Sequence, residues 1–583
     1  MQPSTRPDAL NPAALVILLA AAVPPLLAYN LTPSATLFNQ LASLAAWGVV
    51  LALLAANGQR LARRMPAAGW ALFLLMAAIV ASPFWTGLPS SLALSGLGLV
   101  GAALLVLLAA AGTSAELRVR AFEGLAWALL LAGLASVGVS LVQVFAPQWA
   151  DGSWIARSGI AGRAVGNMRQ PNHLASLLLW ACIAAMFLSE RYGSWRRSRM
   201  VLLPLVLFAF VFCVVLTASR TGMIGVGLLA LWGLLDWLDG KLSRTSRIAL
   251  LLTPLMLWAS WELVAAWAHA GGHAFGAESR LAEGAGSPSR LGVLRNAWSL
   301  VLAYPLTGVG WGEFNLAWTM TPFPDRPIAF FDHTHNLVMQ LLVELGVPLA
   351  CAVLGLLLWS LWRAFAAGQR QHGEQGAMLR CAFMLVLMIG LHSLLEYPLW
   401  YAYFLLPTAY AFGLCLMPAQ APASMSSQGS RSSHVLLLGG LLMVFGSAVA
   451  LRDYRSVVAI YAPAENAGPL QQRIADGQAS LFFAPQAEYA AATSLGVSEA
   501  SLDAARRTGH NLIDVRLMMA WAQALHATGD DDRARYLVQR LKEFRNAQAE
   551  EWLAECAAPL AEGAARPFQC DPPSRVYSFK EMR

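Results

Sequence analysis

Two histidines in a short polar patch, Asp332-His333-Thr334-His335-Asn336, stand hard against a long apolar run that begins at Leu337. Imidazole changes charge near neutral pH, which suits it to take a proton from a reacting group. Ionisable side chains are costly inside hydrocarbon, so one at the lip of a membrane helix is a functional-site candidate. The plainer reading of His335 is a residue that caps its helix or snorkels to the surface; His333 is the second candidate. A His-x-His pair also ligates metals, but no third and fourth ligand accompany it, so no metal site is expected.

Three further clusters interrupt the apolar chain. Arg169, Gln170 and Asn172 lie in Gly162-Arg163-Ala164-Val165-Gly166-Asn167-Met168-Arg169-Gln170-Pro171-Asn172-His173. Pro171 and Asn172 suit a helix start, whose free N–H groups favour an anion. For Gln170 and Asn172 the competing role is a simple cap, and His173 reads as structural. Ser219-Arg220-Thr221-Gly222 pins a lone arginine between two apolar helices, where snorkelling competes with function. The last cluster holds His392, Glu396-Tyr397-Pro398 and Trp400-Tyr401. Glu396 has no cation near it in sequence and reads as facing water.

The loop 268–334 that delivers the two histidines carries Arg280, Arg290, Arg295 and Gly308-Val309-Gly310-Trp311-Gly312-Glu313. Arg280 and Arg295 read as solvated, and the same reading competes for Arg290. Arginines at a membrane surface without nearby carboxylates imply a polyanion, because guanidinium matches phosphate in bidentate geometry. With an imidazole beside them, the chemistry that fits is transfer of a group away from a phosphate attached to a membrane lipid. None of these clusters carries Asp-x-Asp, which argues against a metal-dependent transferase. The three glycines follow no strand–helix pattern, which argues against a nucleotide loop. Glu344 lies nine residues beyond His335, about 180° around a helix, so a direct His–Glu dyad is excluded.

The elements that must position these groups are membrane helices. The 583-residue chain is 57% hydrophobic and 13% charged, with mean hydropathy +0.54. That composition excludes a soluble globular protein and predicts an all-α polytopic bundle. Apolar runs near 12–29, 37–56, 67–84, 91–112, 121–146, 172–189, 201–218, 221–238, 248–267, 335–363, 377–395, 398–417 and 434–451 suggest about thirteen spans of about twenty residues. Alternate loops are basic: Arg60 to Arg64, Arg118 and Arg120, Arg191 to Arg199, Lys241 to Arg247, and Arg363 to Arg380. By the positive-inside rule these are cytoplasmic, as is the N-terminus, and no cleavable signal peptide is seen over 1–11. The net charge of +7 matters through this placement.

The expected domains are N-terminal membrane helices over 1–267, a large periplasmic loop over 268–334, C-terminal membrane helices over 335–451 and a periplasmic helical tail over 452–583. A Ser-, Pro- and Ala-rich linker covers 417–434. In the tail, Leu517 to Leu525, the C-cap Gly529 and the N-capping Asp530 to Asp532 ahead of Arg533 to Phe544 look like one tetratricopeptide-type hairpin. One such unit cannot bury its own face, so it needs neighbouring helices. Cys182, Cys213, Cys351, Cys381 and Cys415 read as buried hydrophobes. Cys556 and Cys570 sit in the polar tail and would pair only in an oxidising compartment.

Ser219-Arg220-Thr221-Gly222, Arg290 ahead of Pro305-Leu306-Thr307-Gly308-Val309-Gly310, and His335-Asn336-Leu337 followed by Leu342-Val343-Glu344-Leu345-Gly346 together resemble the O-antigen ligase/polymerase (WaaL/Wzy) superfamily. Gln170-Pro171-Asn172-His173 and Glu396-Tyr397-Pro398 narrow the likeness to the bacterial O-linked oligosaccharyltransferases, the PglL-type protein glycosylation ligases. The resemblance covers about residues 10–450, and the long tail is also similar. It implies a GT-C-like ligase bundle in the bacterial inner membrane. It further implies a glycan carried on undecaprenyl diphosphate and moved en bloc to Ser or Thr of periplasmic proteins such as pilins. No metal and no cofactor enter that picture. On the matching positions, His335 takes the acceptor proton, Arg220 and Arg290 hold the diphosphate, and Gln170 and Tyr397 line the site, with Asn172, Arg169, Glu396 and His333 as further candidates.

Rival readings differ in acceptor or in class. An O-antigen ligase acting on lipid A core, or a Wzy-type polymerase, uses the same chemistry. A transporter or flippase would scatter polar residues through mid-membrane and repeat them between halves, whereas here they gather at one face. A docking module accounts for the tail but not for the His–Arg set, and no nucleic-acid partner is expected.

Overall fold

The computed structural model describes residues 12–62, 64–192, 196–278, 288–416, 429–559 and 565–583. The expectations placed on 1–11, Arg63, 193–195, Arg280 and 417–428 lie outside these. Among the described residues the regular structure is helical, with no strand. Among the described residues, ten helices are long and apolar enough to cross a membrane. An eleventh span results if Arg244–Leu251 and Thr253–Gly271, bent by 43° at a short break, count as one. Two more of the thirteen apolar runs fold as the shorter helices Ala14–Leu26 and Ala402–Cys415. Thirteen full-length spans are therefore more than the helix lengths support. The protein is a multi-pass membrane protein.

One boundary and one burial differ from expectation. The linker gives way to helix at Gly429, at the start of Gly429–Tyr461, and Ser433 Oγ donates to the Ala55 carbonyl at 2.8 Å. Cys351 is exposed, whereas Cys182, Cys213, Cys381 and Cys415 are buried. An apolar run fixes that a helix enters the membrane, but not which of its faces meets other helices.

The chain divides into two units. The first comprises 1–72, 101–285 and 355–448. Its core is helix Pro171–Arg191, the most buried of the spans. Trp180 on this helix donates its indole N–H to the Leu385 carbonyl at 2.9 Å and meets Phe404 edge-on at 5.3 Å. Helices Leu37–Ala56 and Gly429–Tyr461 approach backbone to backbone at Gly48 and Gly440. A Cβ at Gly48 would lie 2.7 Å from the Gly440 carbonyl oxygen, and one at Gly440 would lie 2.5 Å from that of Gly48. Close contact through small residues is how membrane helices gain dispersion energy without a hydrophobic driving force.

The second unit comprises 73–100, 286–354 and 449–583. Its part of the large loop is folded: helices Pro288–Ala303 and Phe314–Met320 share one apolar core with the tail. The predicted hairpin is Val515–Ala527 and Asp531–Lys542, joined through Gly529 at φ 85° and capped by the Asp530 side chain on Arg533 N–H at 3.3 Å. The second helix thus begins two residues before Arg533, inside the acidic run. Ala484–Ser494 and Glu499–Thr508 form the neighbouring hairpin that helps bury it. Tyr536 Oη donates to the Met320 carbonyl at 2.7 Å. The guanidinium of Arg326 bonds Glu543 at 2.7 Å and lies over the rings of Trp318 and Phe544. Cys556 and Cys570 form a disulfide.

Candidate functional site

In the first unit, three helix ends meet through side chains that the sequence singled out. Helix Pro171–Arg191 opens with Gln170 as N-cap, whose Oε1 accepts the His173 N–H at 2.8 Å. Helix Arg220–Asp239 opens with Ser219, whose Oγ accepts the Gly222 N–H at 3.0 Å. The same Oγ donates to Asn172 Oδ1 at 2.6 Å, and Asn172 Nδ2 donates to Glu396 Oε1 at 3.1 Å. Asn172 thus ties the Arg220 helix to the segment holding Glu396 and Tyr397.

Glu396 is buried, which corrects the expectation that it faces water. Its partner lies 224 residues away, and no local pattern reveals it. Arg220, Gln170 and Tyr397 are half-buried. His173 is buried with Nδ1 3.0 Å from Tyr403 Oη, a structural setting.

The loop before Gln170 is fixed by residues to which the sequence reading gave no role. Gln143 Oε1 accepts the N–H groups of Val165 and Gly166, both at 2.9 Å. Asn167 Nδ2 donates to the carbonyls of Leu26 and Trp154. Arg163 Nε donates to the Thr217 carbonyl at 3.1 Å, bracing the turn that precedes Ser219. Arg169 donates to the Ala35 and Gly152 carbonyls, and burial holds its guanidinium below the ordinary range. Its hydrogen bonds thus brace the loop.

In the second unit, His335 lies two residues ahead of helix Leu337–Arg370. Capping falls to Asn336, whose Oδ1 accepts the Met339 N–H at 3.0 Å. His335 has φ 54°, in the left-handed region, and its ring meets Phe331 edge-on at 5.5 Å. His333 Nδ1 lies 3.1 Å from Asp332 Oδ1. Burial opposes ionisation of Asp332, but the His333 hydrogen bond and the charges of both imidazoles outweigh it and hold the carboxyl below its usual range. Arg290 is half-buried in helix Pro288–Ala303. Glu344 is buried and accepts from Gln340 Nε2 at 3.0 Å.

Among the described residues, only four non-glycine residues have positive φ: Arg169, Ala218, His335 and Arg545. Three of them directly precede a polar N-cap, namely Gln170, Ser219 and Asn336. Strain of this kind persists where the surroundings over-determine it, and it concentrates at functional sites. Among the described residues, no group of three or more His, Cys, Asp or Glu is placed to hold a metal ion.

Residues 204–354 match the O-antigen ligase family, 164–188 the protein glycosylation ligase family, and 381–556 the C-terminal part of a virulence factor membrane-bound polymerase family. Together these matches make the chain similar to the O-antigen ligases and protein glycosylation ligases. The first match contains Arg220, Arg290 and His335, the second Arg169, Gln170 and Asn172, and the third Glu396 and Tyr397. A general O-oligosaccharyltransferase of Acinetobacter baylyi is 26% identical over 306 residues, 50% of each chain. A ComP-specific O-oligosaccharyltransferase of the same organism is 25% identical over 257 residues, 44% of each chain. The chain spans about half the length of the curated relatives it matches.

Proposed function

We propose that the protein is a metal-independent O-oligosaccharyltransferase. It moves a preassembled glycan from an undecaprenyl diphosphate-linked donor to Ser or Thr hydroxyls of periplasmic proteins, pilins among them. The acceptor oxygen attacks the anomeric carbon in line, and His335 takes the hydroxyl proton. The bond from that carbon to the diphosphate oxygen breaks with inversion, and the diphosphate leaves with the electron pair. Arg220 and Arg290 neutralise the departing charge, the largest electrostatic term in such a step. Gln170 and Tyr397 line the site, with Asn172, Glu396, Arg169 and His333 as further candidates for it. The bundle sits in the inner membrane with the N-terminus cytoplasmic and the 268–334 loop and the tail periplasmic.

The observation that carries this reading is His335. It is held in a left-handed turn at a helix mouth, beside Asp332, within the segment that matches the O-antigen ligases. The names of the two relatives favour a protein acceptor. The matches of 381–556 to a polymerase family and of 204–354 to the O-antigen ligases support a second reading, in which the acceptor is another glycan or lipid A core.

The test uses purified protein in lipid vesicles with lipid-linked glycan, offered a pilin-like protein and lipid A core separately. Glycan should pass to the protein; transfer to lipid A core alone would establish the second reading. His335→Ala should abolish transfer while donor binding survives, and full activity in that variant would overturn the mechanism.

A further inference from the structure

His335 pays for its left-handed backbone with strain that something nearby must hold. The turn has no glycine to relieve it, and Asn336 secures only the helix side. On the other side stands Thr334, which is 1% exposed. Its N–H donates to Gln340 Oε1 at 2.8 Å, and its Oγ1 donates to the Asn336 carbonyl at 2.9 Å. Gln340, itself 3% exposed, donates from Nε2 to Glu344 Oε1 at 3.0 Å. The backbone of Gly312 and Phe314 is hydrogen-bonded to the same Glu344 carboxylate.

This end of the helix is also fixed from outside. The N–H groups of Val309 and Gly310 donate to the Val343 and Glu344 carbonyls at 2.8 and 3.0 Å. The helix breaks at Gly346, with φ 73° and ψ 165°. A continuous line of hydrogen bonds therefore runs from the 308–314 loop through Glu344 and Gln340 to Thr334, the residue before His335.

We propose that Gln340 is a positioning residue for His335, its amide spanning Glu344 and Thr334 N–H so that the left-handed turn presents the imidazole in one orientation. The proposal rests on the reading of His335 as the base. A primary amide is suited to the task because it accepts at one atom and donates at the other without carrying charge. Without it, the buried Thr334 N–H loses its acceptor, and the backbone at His335 relaxes toward the ordinary region. Glu344 thus acts on His335 through two intermediaries, not by facing it.

The experiment measures kcat and KM per folded enzyme in the reconstituted assay for wild type, Gln340→Leu and Gln340→Asn. Gln340→Leu should lower kcat about 10- to 100-fold, the effect of misplacing a reacting group by about an ångström, with KM for donor and acceptor unchanged. Gln340→Asn keeps the amide but is one methylene too short to span both partners, and it should show the same split if Gln340→Leu fails to fold. Wild-type kcat per folded enzyme in both Gln340 variants, or a loss carried by KM, would overturn the proposal while leaving His335 as the base. Full activity of His335→Ala alone would instead remove the reading on which the proposal stands.

Discussion

A non-glycine residue in the left-handed region costs about 1 kcal/mol or more. The chain accepts that cost at Arg169, Ala218 and His335, each one residue ahead of a capped helix start. The starts at Pro171 and Arg220 were legible in the sequence, because proline, serine and asparagine are local signals. The bonds from Asn172 to Ser219 and Glu396 were not, since they join residues far apart in the chain. Gln340 and Glu344 are four apart on one helical face, and that pair was open to reading. The Thr334 bond was hidden because it crosses a turn that follows no helical period.

Asp332 yields a pH prediction at this scale. Its folded pKa is depressed, so its contribution to stability is present above the usual carboxylate value of about 3.9 and is lost as pH falls through the lowered folded value. Asp332→Asn should therefore melt below wild type at neutral pH, and the gap should close on acidification. Melting curves from about pH 5 downward, below the ordinary imidazole range, check this; a gap that widens as the carboxyl titrates contradicts the assigned pairing.

Between elements, one buried contact centres on Glu313, which is fully buried in the second unit. His510 Nδ1 lies 2.7 Å from its Oε1, and Arg583 lies 3.5 Å from its Oε2 while also donating to the Val309 carbonyl at 3.3 Å. Two tail residues thus clasp the loop that borders Glu344. Breaking a buried pair by removing one partner leaves the other charge stranded, so Glu313→Ala should cost about 3 kcal/mol. The apparent melting temperature in detergent should fall by several degrees, and an unchanged melt would show the clasp to be inert. The sequence marked Glu313 only as the end of a glycine-rich string. The tail hairpin was readable from its caps and its glycine, whereas the folded 288–320 segment owes its core to partners supplied from the tail.

Across the whole molecule, apolar run length found the helices, and charge alternation assigned a side to each loop. Among the described residues, lengths then limit the full spans to ten or eleven, because two apolar runs yield helices too short to cross alone. The proposed orientation has a direct check in the paired Cys556 and Cys570. In intact spheroplasts, a membrane-impermeant maleimide should add two tags to the tail only after an impermeant reductant is supplied. Tagging that requires permeabilised membranes would reverse the orientation.

The second unit draws on three separated stretches of chain, and that arrangement bears on inheritance and grafting. Arg326 with Glu543, Tyr536 with Met320 and His510 with Glu313 each join residues about two hundred positions apart. A tail transplanted from a relative without its matching 286–354 stretch would arrive with half of every such pair. Recombination that respects the fold must carry both stretches together, so any property that resides in this unit is exchanged as a block.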